Sequence, residues 1–529
     1  MPLEYRNLDA TKTYAGLKNI DANAISLKRL LTPERIAAYS IRAGGGLTYN
    51  YAAKRVTDEV LSALQQLADE QQLLGKFEEL YNGAIANPGE NRMVLHHLLR
   101  GQLGNPVVRE GKDLGAFYAE QQQKIAAFCA DVHKGKIKGS TGKKFKTVVQ
   151  IGIGGSDLGP RALYLALEQY ARQRKLLKMQ ARFISNVDPD DANAVLAGLN
   201  LETTLFILVS KSGTTQETLA NEQLVKAKMA AAGITGTSQN VHMAVVTAQN
   251  SKLDKPGEYA GVFLIDDFIG GRYSSTSAVG GAILSLAFGP KVFEEVLAGA
   301  HEADQLARNP NIRQNAALMD ALIGVWERNF LLYPYTAILP YCQALLRFPA
   351  HLQQLDMESN GKSVSRHNER LAYSTGPIVF GEPGTNGQHS FYQLLHQGTD
   401  IVPLQFIGFK TAQTGFDLDV EGSTSEKKLS ANLTAQIAAF ALGRENKDNP
   451  NKNFEGERPS SLIHGDMLTP KSLGALLAHF ENKVMFQGFT WNINSFDQEG
   501  VQLGKLLTKE VLAGSKDERL TAYAKLLGV

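Results

Sequence analysis

Five hydroxyls and one ammonium crowd a single turn of this chain: Ser210, Lys211, Ser212, Thr214, Thr215 and Thr218, within TLFILVSKSGTTQETLANEQLVKA. An apolar run of strand type leads into them and a helical run leads out. Free N–H groups at a helix start, with a dipole worth about half a positive charge, suit a phosphate of about two negative charges. Capping alone would need one Ser or Thr, not five. No Gly-Lys-[Ser/Thr] follows a four-residue spacer, so a monophosphate fits this turn better than ATP.

Four further segments carry reactive groups. In TVVQIGIGGSDLGPRALYLAL a strand runs into Gly152, Gly154, Gly155 and Ser156 before a helix expected near Pro160; glycines let backbone approach a ligand, although the spacing is not a dinucleotide fingerprint. DFIGGRYSSTSAVGG sets Arg272 among four glycines and several hydroxyls, so a fixed guanidinium can meet a small ligand there. In FPAHLQQLDMESNGKSV, Pro349 can open a helix and Gly361 can end it, which places Glu358 in or just beyond the last turn, with Gln354 four residues earlier. A carboxylate at the negative end of a helix is less comfortably ionised, as a general base should be. PIVFGEPGTNGQHSFYQLLHQGT places His389 at a helix entrance, where the dipole favours neutral imidazole, while His396 reads as a packing residue.

Near the C-terminus, NINSFDQEGVQLGKLLTKE holds Gln498 and Lys505 seven residues apart, on one face if the helix is continuous. Alone, that lysine would read as solvated surface. The Ser-x-Ser-Gly-Thr-Thr turn, the GGRYSS segment, the helix with Glu358 and the Phe496-Asp497-Gln498-x-Gly500-Val501 run with Lys505 together resemble the phosphoglucose isomerase family, as does NRMVLHHLLR (91–100). Two positions depart from its pattern: Gln502 stands where the family has Glu, and Glu499 where it has Trp.

The resemblance implies reversible isomerisation of glucose 6-phosphate and fructose 6-phosphate through an enediolate, in glycolysis and gluconeogenesis. Glu358 is then the base, Arg272 the counter-charge, and His389 and Lys505 the groups that open the sugar ring. Gly155, Ser156, Ser210, Lys211, Ser212, Thr215, Thr218, Gln354 and Gln498 bind substrate and phosphate. It also implies a homodimer in which the histidine comes from the other subunit. Rival readings are another phosphosugar isomerase on the same domain, and a sugar-phosphate-binding regulator without chemistry.

These groups need a scaffold. Short β-branched runs, TVVQIGI, ARFISNV, TLFILVS and VHMAVVT, alternate with helices after Lys146; TAILPY, PIVFGEPG, DIVPLQFIGF and SLIHGD do so again after a helical connector around 293–332. Such alternation predicts α/β architecture: two doubly wound parallel-sheet domains, of the sugar isomerase type by resemblance. The expected division is a helical region over 1–115, with DEVLSALQQLADEQQ as one amphipathic helix, domains over 116–290 and 291–510, and a helical tail over 511–529. The polar stretch 443–461 reads as a solvated loop.

Composition excludes other classes. With 529 residues, 55 Lys and Arg against 53 acidic residues, the chain has no general field for nucleic acid or an anionic membrane. The N-terminal stretch lacks the pattern of a secretory signal and no apolar run has spanning length, so a cytoplasmic protein is expected. Two cysteines, Cys129 and Cys342, are too few for a disulfide framework and read as packing thiols. Eleven histidines show no metal-site spacing; no metal or other cofactor is expected.

Overall fold

The structure, a computed structural model, describes residues 3–529. Alternating strands and helices build two sheets. The first has five parallel strands: β3 (Thr147–Ile151), β4 (Gln180–Ile184), β5 (Thr204–Val209), β6 (Met243–Thr247) and β7 (Gly261–Leu264). Their spatial order is β7-β6-β5-β3-β4. All six residues of β5 are buried, as expected of a central strand covered on both faces.

The second sheet has six strands. Four are parallel: β8 (Tyr335–Tyr341), β9 (Ile378–Phe380), β10 (Leu404–Thr411) and β11 (Ser460–Met467). The other two form the antiparallel hairpin β1 (Ser40–Gly44) and β2 (Leu47–Asn50), which joins the edge of β11 in the order β1-β2-β11-β10-β8-β9. The segment 1–115 is therefore not purely helical: it lends two strands to a sheet whose other strands lie between residues 335 and 467. The helix expected over 58–72 runs Asp58–Glu70, capped by Thr57.

A long helix, Pro470–Thr490, fills the centre of the molecule. Thr469 and Ser472 cap it reciprocally, and every residue but Lys471 is buried. It lies against the helix Pro290–Leu306 at backbone contact: a Cβ on Gly474 would overlap the Val296 carbonyl, and one on Gly299 the Lys471 carbonyl. Buried charges on this helix are paired. Lys483 and His479 lie 3.1 and 3.0 Å from Asp320, and Glu481 pairs with Arg100. Burial opposes the Asp320 charge, but Lys483 and His479 outweigh it and hold the carboxyl well below the usual range.

The stretch 443–461 is more ordered than a solvated loop. Arg444 and Phe454 bridge across it, Glu457 accepts from Ser26 and the backbone of Leu27, and its last two residues begin β11. The chain ends in two helices, Gln502–Leu512 and Glu518–Leu527, neither of which buries a side chain. No helix among the described residues is long and apolar enough to cross a membrane.

Candidate active site

In the first sheet the chain leaves β3 for β4 on one side and then crosses to β5 on the other. Ligands of doubly wound sheets bind at such a switch point, beyond the carboxyl ends of the strands. Two turns singled out above lie there: the glycine-rich Gly152–Ser156 follows β3, and the hydroxyl-rich Ser210–Thr215 follows β5. The helix after β3 spans Leu158–Gln173, two residues earlier than Pro160 suggests.

The second turn leads into the helix Gln216–Ala231. Thr215 occupies its N-cap position, yet its side chain makes no capping bond; its Oγ1 lies 3.0 Å from Ser210 Oγ instead. Thr214 donates to Ser212 Oγ through both its N–H and its hydroxyl. Thr218 Oγ1 is buried with no partner. Hydroxyls grouped at a helix start that do not cap it remain available to an anion, so the surplus over capping is visible in the geometry. Lys211 reaches across to the arginine segment, 3.4 Å from the Ile269 carbonyl and 3.6 Å from Asp267.

Gly155 touches that same segment. A Cβ there would overlap the Gly271 carbonyl, so only glycine permits this approach of two turns. Beside it, a Cβ on Gly154 would sit 3.3 Å from Gln354 Nε2, and Gln354 Oε1 is buried without a partner. Ser156 is half-buried nearby.

Arg272 is 2% exposed and held by neutral acceptors. Its Nε donates to Ser359 Oγ at 2.7 Å, and its Nη2 to the carbonyls of Ser495 at 2.7 Å and Asp497 at 2.9 Å. Nη1 faces Glu358 at 3.3 Å and Gln498 Oε1 at 3.4 Å. Glu358 itself is accessible, with 23% of its side chain exposed.

The helix expected from Pro349 to Gly361 is interrupted. It is α-helical over Phe348–Gln353 and widens to a π turn over Gln354–Glu358, a distortion frequent at functional sites. Gln354 and Glu358 mark its two ends. Asp356, inside the turn, is buried with Oδ1 unpartnered, and burial pushes its carboxyl up to about 6. His351 has neither ring nitrogen partnered, and burial takes it down to about 4, so it is neutral.

Among the described residues, two expected residues share no hydrogen bond or ion pair with Arg272 or Glu358 within the single chain. His389 closes the 3-10 turn Asn386–His389, three residues ahead of the helix Tyr392–Gln397, and is exposed. Its turn is fixed by the neighbouring Gln388, which accepts from Tyr341 Oη at 2.8 Å and donates to Asn432. Lys505 is exposed on Gln502–Leu512. It does not share a continuous helix with Gln498: a 3-10 turn over Glu499–Val501 intervenes, and Gln498 itself has non-helical backbone at φ −148° and ψ 49°. Among the described residues, neither the His389 imidazole nor the Lys505 ammonium has a hydrogen-bonding partner.

His396 is the packing residue its position implies, stacked on Phe440 at 3.7 Å and bonded to Gln436. Cys129 is buried and Cys342 half-buried; both are unpaired, and burial raises the Cys342 thiol to about 11. Sequence reasoning missed Ser359, Asp497 and Lys362. Ser359 and Lys362 both lie in the quoted SNGK stretch beside Glu358, where a lysine just past a helix end is a recognisable C-terminal cap.

The family model described as phosphoglucose isomerase matches residues 50–524. The glucose-6-phosphate isomerase of Treponema denticola is 58% identical over 532 residues, covering 99% of this chain and 100% of that protein. That of Borreliella afzelii is 48% identical, covering 99% of each. The crystal structure of a glucose-6-phosphate isomerase from Chlamydia trachomatis matches this fold with a TM-score of 0.92 at 42% identity, over 99% of both chains.

Proposed function

This chain belongs to the phosphoglucose isomerase family, and from that premise we propose that it interconverts glucose 6-phosphate and fructose 6-phosphate by proton transfer between the first two sugar carbons. One observation carries the reading. An accessible carboxylate, Glu358, faces a buried guanidinium, Arg272, at 3.3 Å, beside a turn whose hydroxyls are not used for capping.

The phosphate sits at the start of Gln216–Ala231, held by Ser210, Ser212, Thr215 and Thr218 with the Lys211 ammonium nearby. Anchoring this remote group places the sugar carbons for reaction. Gln354 and Gln498 flank the carbons. Glu358 removes the proton from carbon 2 of the open-chain aldose, the electron pair forms the double bond to carbon 1, and negative charge develops on its oxygen. Arg272 opposes that charge. Its other donors are already committed to Ser359, Ser495 and Asp497, so it is oriented before the charge appears. A proton passes from the carbon 2 hydroxyl to the carbon 1 oxygen, the charge now on the carbon 2 oxygen collapses to the ketone, and the protonated carboxyl returns its proton to carbon 1.

His389 and Lys505 move protons at the ring oxygen and the anomeric hydroxyl when the sugar opens. Within one chain both are exposed and unpartnered, which supports a homodimer whose sites each take the histidine from the other subunit. The terminal helices support it too: Leu503, Leu506, Leu526 and Leu527 are each at least 64% exposed. A cytoplasmic setting goes with the two unpaired thiols.

The test is conversion of fructose 6-phosphate to glucose 6-phosphate by the purified protein in the presence of a chelator, with the mass of the active species measured alongside. Rapid turnover by a species of twice 57.6 kDa is expected. Sugar-phosphate binding without turnover would favour the regulator.

A further inference from the structure

Lys362 lies just beyond the turn that carries Glu358. Its ammonium is 3.2 Å from the Glu358 carbonyl, 3.1 Å from the Asp497 carbonyl and 2.6 Å from Asp497 Oδ1. The Asp497 carbonyl is one of those that accept from Arg272 Nη2. A single ammonium therefore grips both the backbone of the carboxylate residue and an acceptor that fixes the guanidinium.

The grip is itself supported. The Lys362 N–H donates to Thr375 Oγ1 at 3.3 Å, and the same hydroxyl donates to the Lys362 carbonyl at 2.7 Å. Asp497 Oδ2 accepts from Asn494 at 2.6 Å, so its carboxylate is held from both sides. The last carbonyls of a helix lack internal partners, and a charged donor satisfies them about twice as strongly as a neutral one. The two side chains are 16% and 17% exposed, so water screens the pair only in part.

The segments joined in this way are 135 residues apart in sequence, and the arginine arrives from a third. We propose that Lys362, acting through the Glu358 backbone and Asp497, is a positioning residue that sets the separation of the Glu358 carboxylate from the Arg272 guanidinium during proton transfer. The proposal rests on the roles given above to Glu358 and Arg272. Lys362 transfers no proton itself. A misplacement of about 1 Å at a reacting group costs on the order of 10²-fold in rate.

The experiment compares Lys362→Met, Lys362→Arg, Asp497→Asn and Glu358→Gln in the full-length protein. Measured for each are kcat, KM, the thermal midpoint and the fate of deuterium from glucose 6-phosphate labelled at carbon 2. A carboxylate held in place delivers more of that label to carbon 1, whereas a displaced one exchanges more of it with water. Lys362→Met is expected to lose about 10- to 100-fold in kcat with KM little changed, and to deliver less label to carbon 1. Lys362→Arg should recover most of both losses, and Asp497→Asn should show the same pattern in weaker form. Normal kcat in Lys362→Met beside an inactive Glu358→Gln would overturn the positioning role alone. A loss of kcat that tracks the thermal midpoint, with unchanged label transfer and no recovery by arginine, would overturn it as well. Normal turnover by Glu358→Gln would instead bring down the reading on which it rests.

Discussion

Replacing Arg272 by lysine keeps the charge and removes the fork. The guanidinium spends Nε and Nη2 on Ser359, Ser495 and Asp497, and offers Nη1 toward Glu358 and Gln498. An ammonium on a shorter stem cannot serve both sets, and whichever carbonyls it leaves are buried acceptors worth roughly 1–3 kcal/mol each when unpaired. Loss of one donor to a developing oxyanion costs about 10²- to 10³-fold in rate. Arg272→Lys should therefore lower kcat by that range while KM changes less than about threefold, because the turn proposed to bind phosphate is a different one. Turnover is read by coupling glucose 6-phosphate formation to a dehydrogenase. The double variant with Glu358→Gln should be scarcely slower than Glu358→Gln alone, since the two groups serve one step. Near-normal kcat, or full additivity of the two losses, would refute the assignment of Arg272 to the developing charge.

Thr215→Ala should act on binding: KM rises about tenfold, the worth of one hydrogen bond to a charged group, with kcat nearly unchanged; a pure kcat loss would contradict it. Asp356 gives a pH signature in stability. Its carboxyl is raised by burial from 3.8 to about 6, so its stabilising contribution is fully present below about pH 3.8 and lost as pH rises through about 6. Asp356→Asn lacks this titration, so urea unfolding should show the unsubstituted protein losing about 2 kcal/mol relative to the variant between pH 4 and 7. A constant difference across that range would contradict a buried, titrating Asp356.

Much of the scaffold is legible because central strands of parallel sheets read as continuous apolar runs. TLFILVS and VHMAVVT fall on β5 and β6 for that reason. GVFL, which forms β7, is short and only one of its four residues is buried, so it gives little pattern. The hairpin Ser40–Asn50 was readable, since Gly44-Gly45-Gly46 separates two runs with hydrophobic alternation, but nothing local says that it joins a sheet formed near residue 460. At the site, residue types and resemblance identify Arg272 and Glu358. Their contact depends on the π turn and on the carbonyls of Ser495 and Asp497, which come from tertiary packing and leave no mark in spacing. The helix expected to carry both Gln498 and Lys505 fails because Gln498, which accepts from Arg272, has non-helical backbone and a separate 3-10 turn follows it.

Proton transfer by Glu358 is tested most directly by the turnover of Glu358→Gln on fructose 6-phosphate, with sugar-phosphate affinity measured on the same protein. Glutamine keeps the shape and the neighbour of Arg272 but cannot accept a proton from carbon. Retained affinity with turnover reduced by at least about 10²-fold is the predicted result. Turnover close to that of the unsubstituted protein would contradict it.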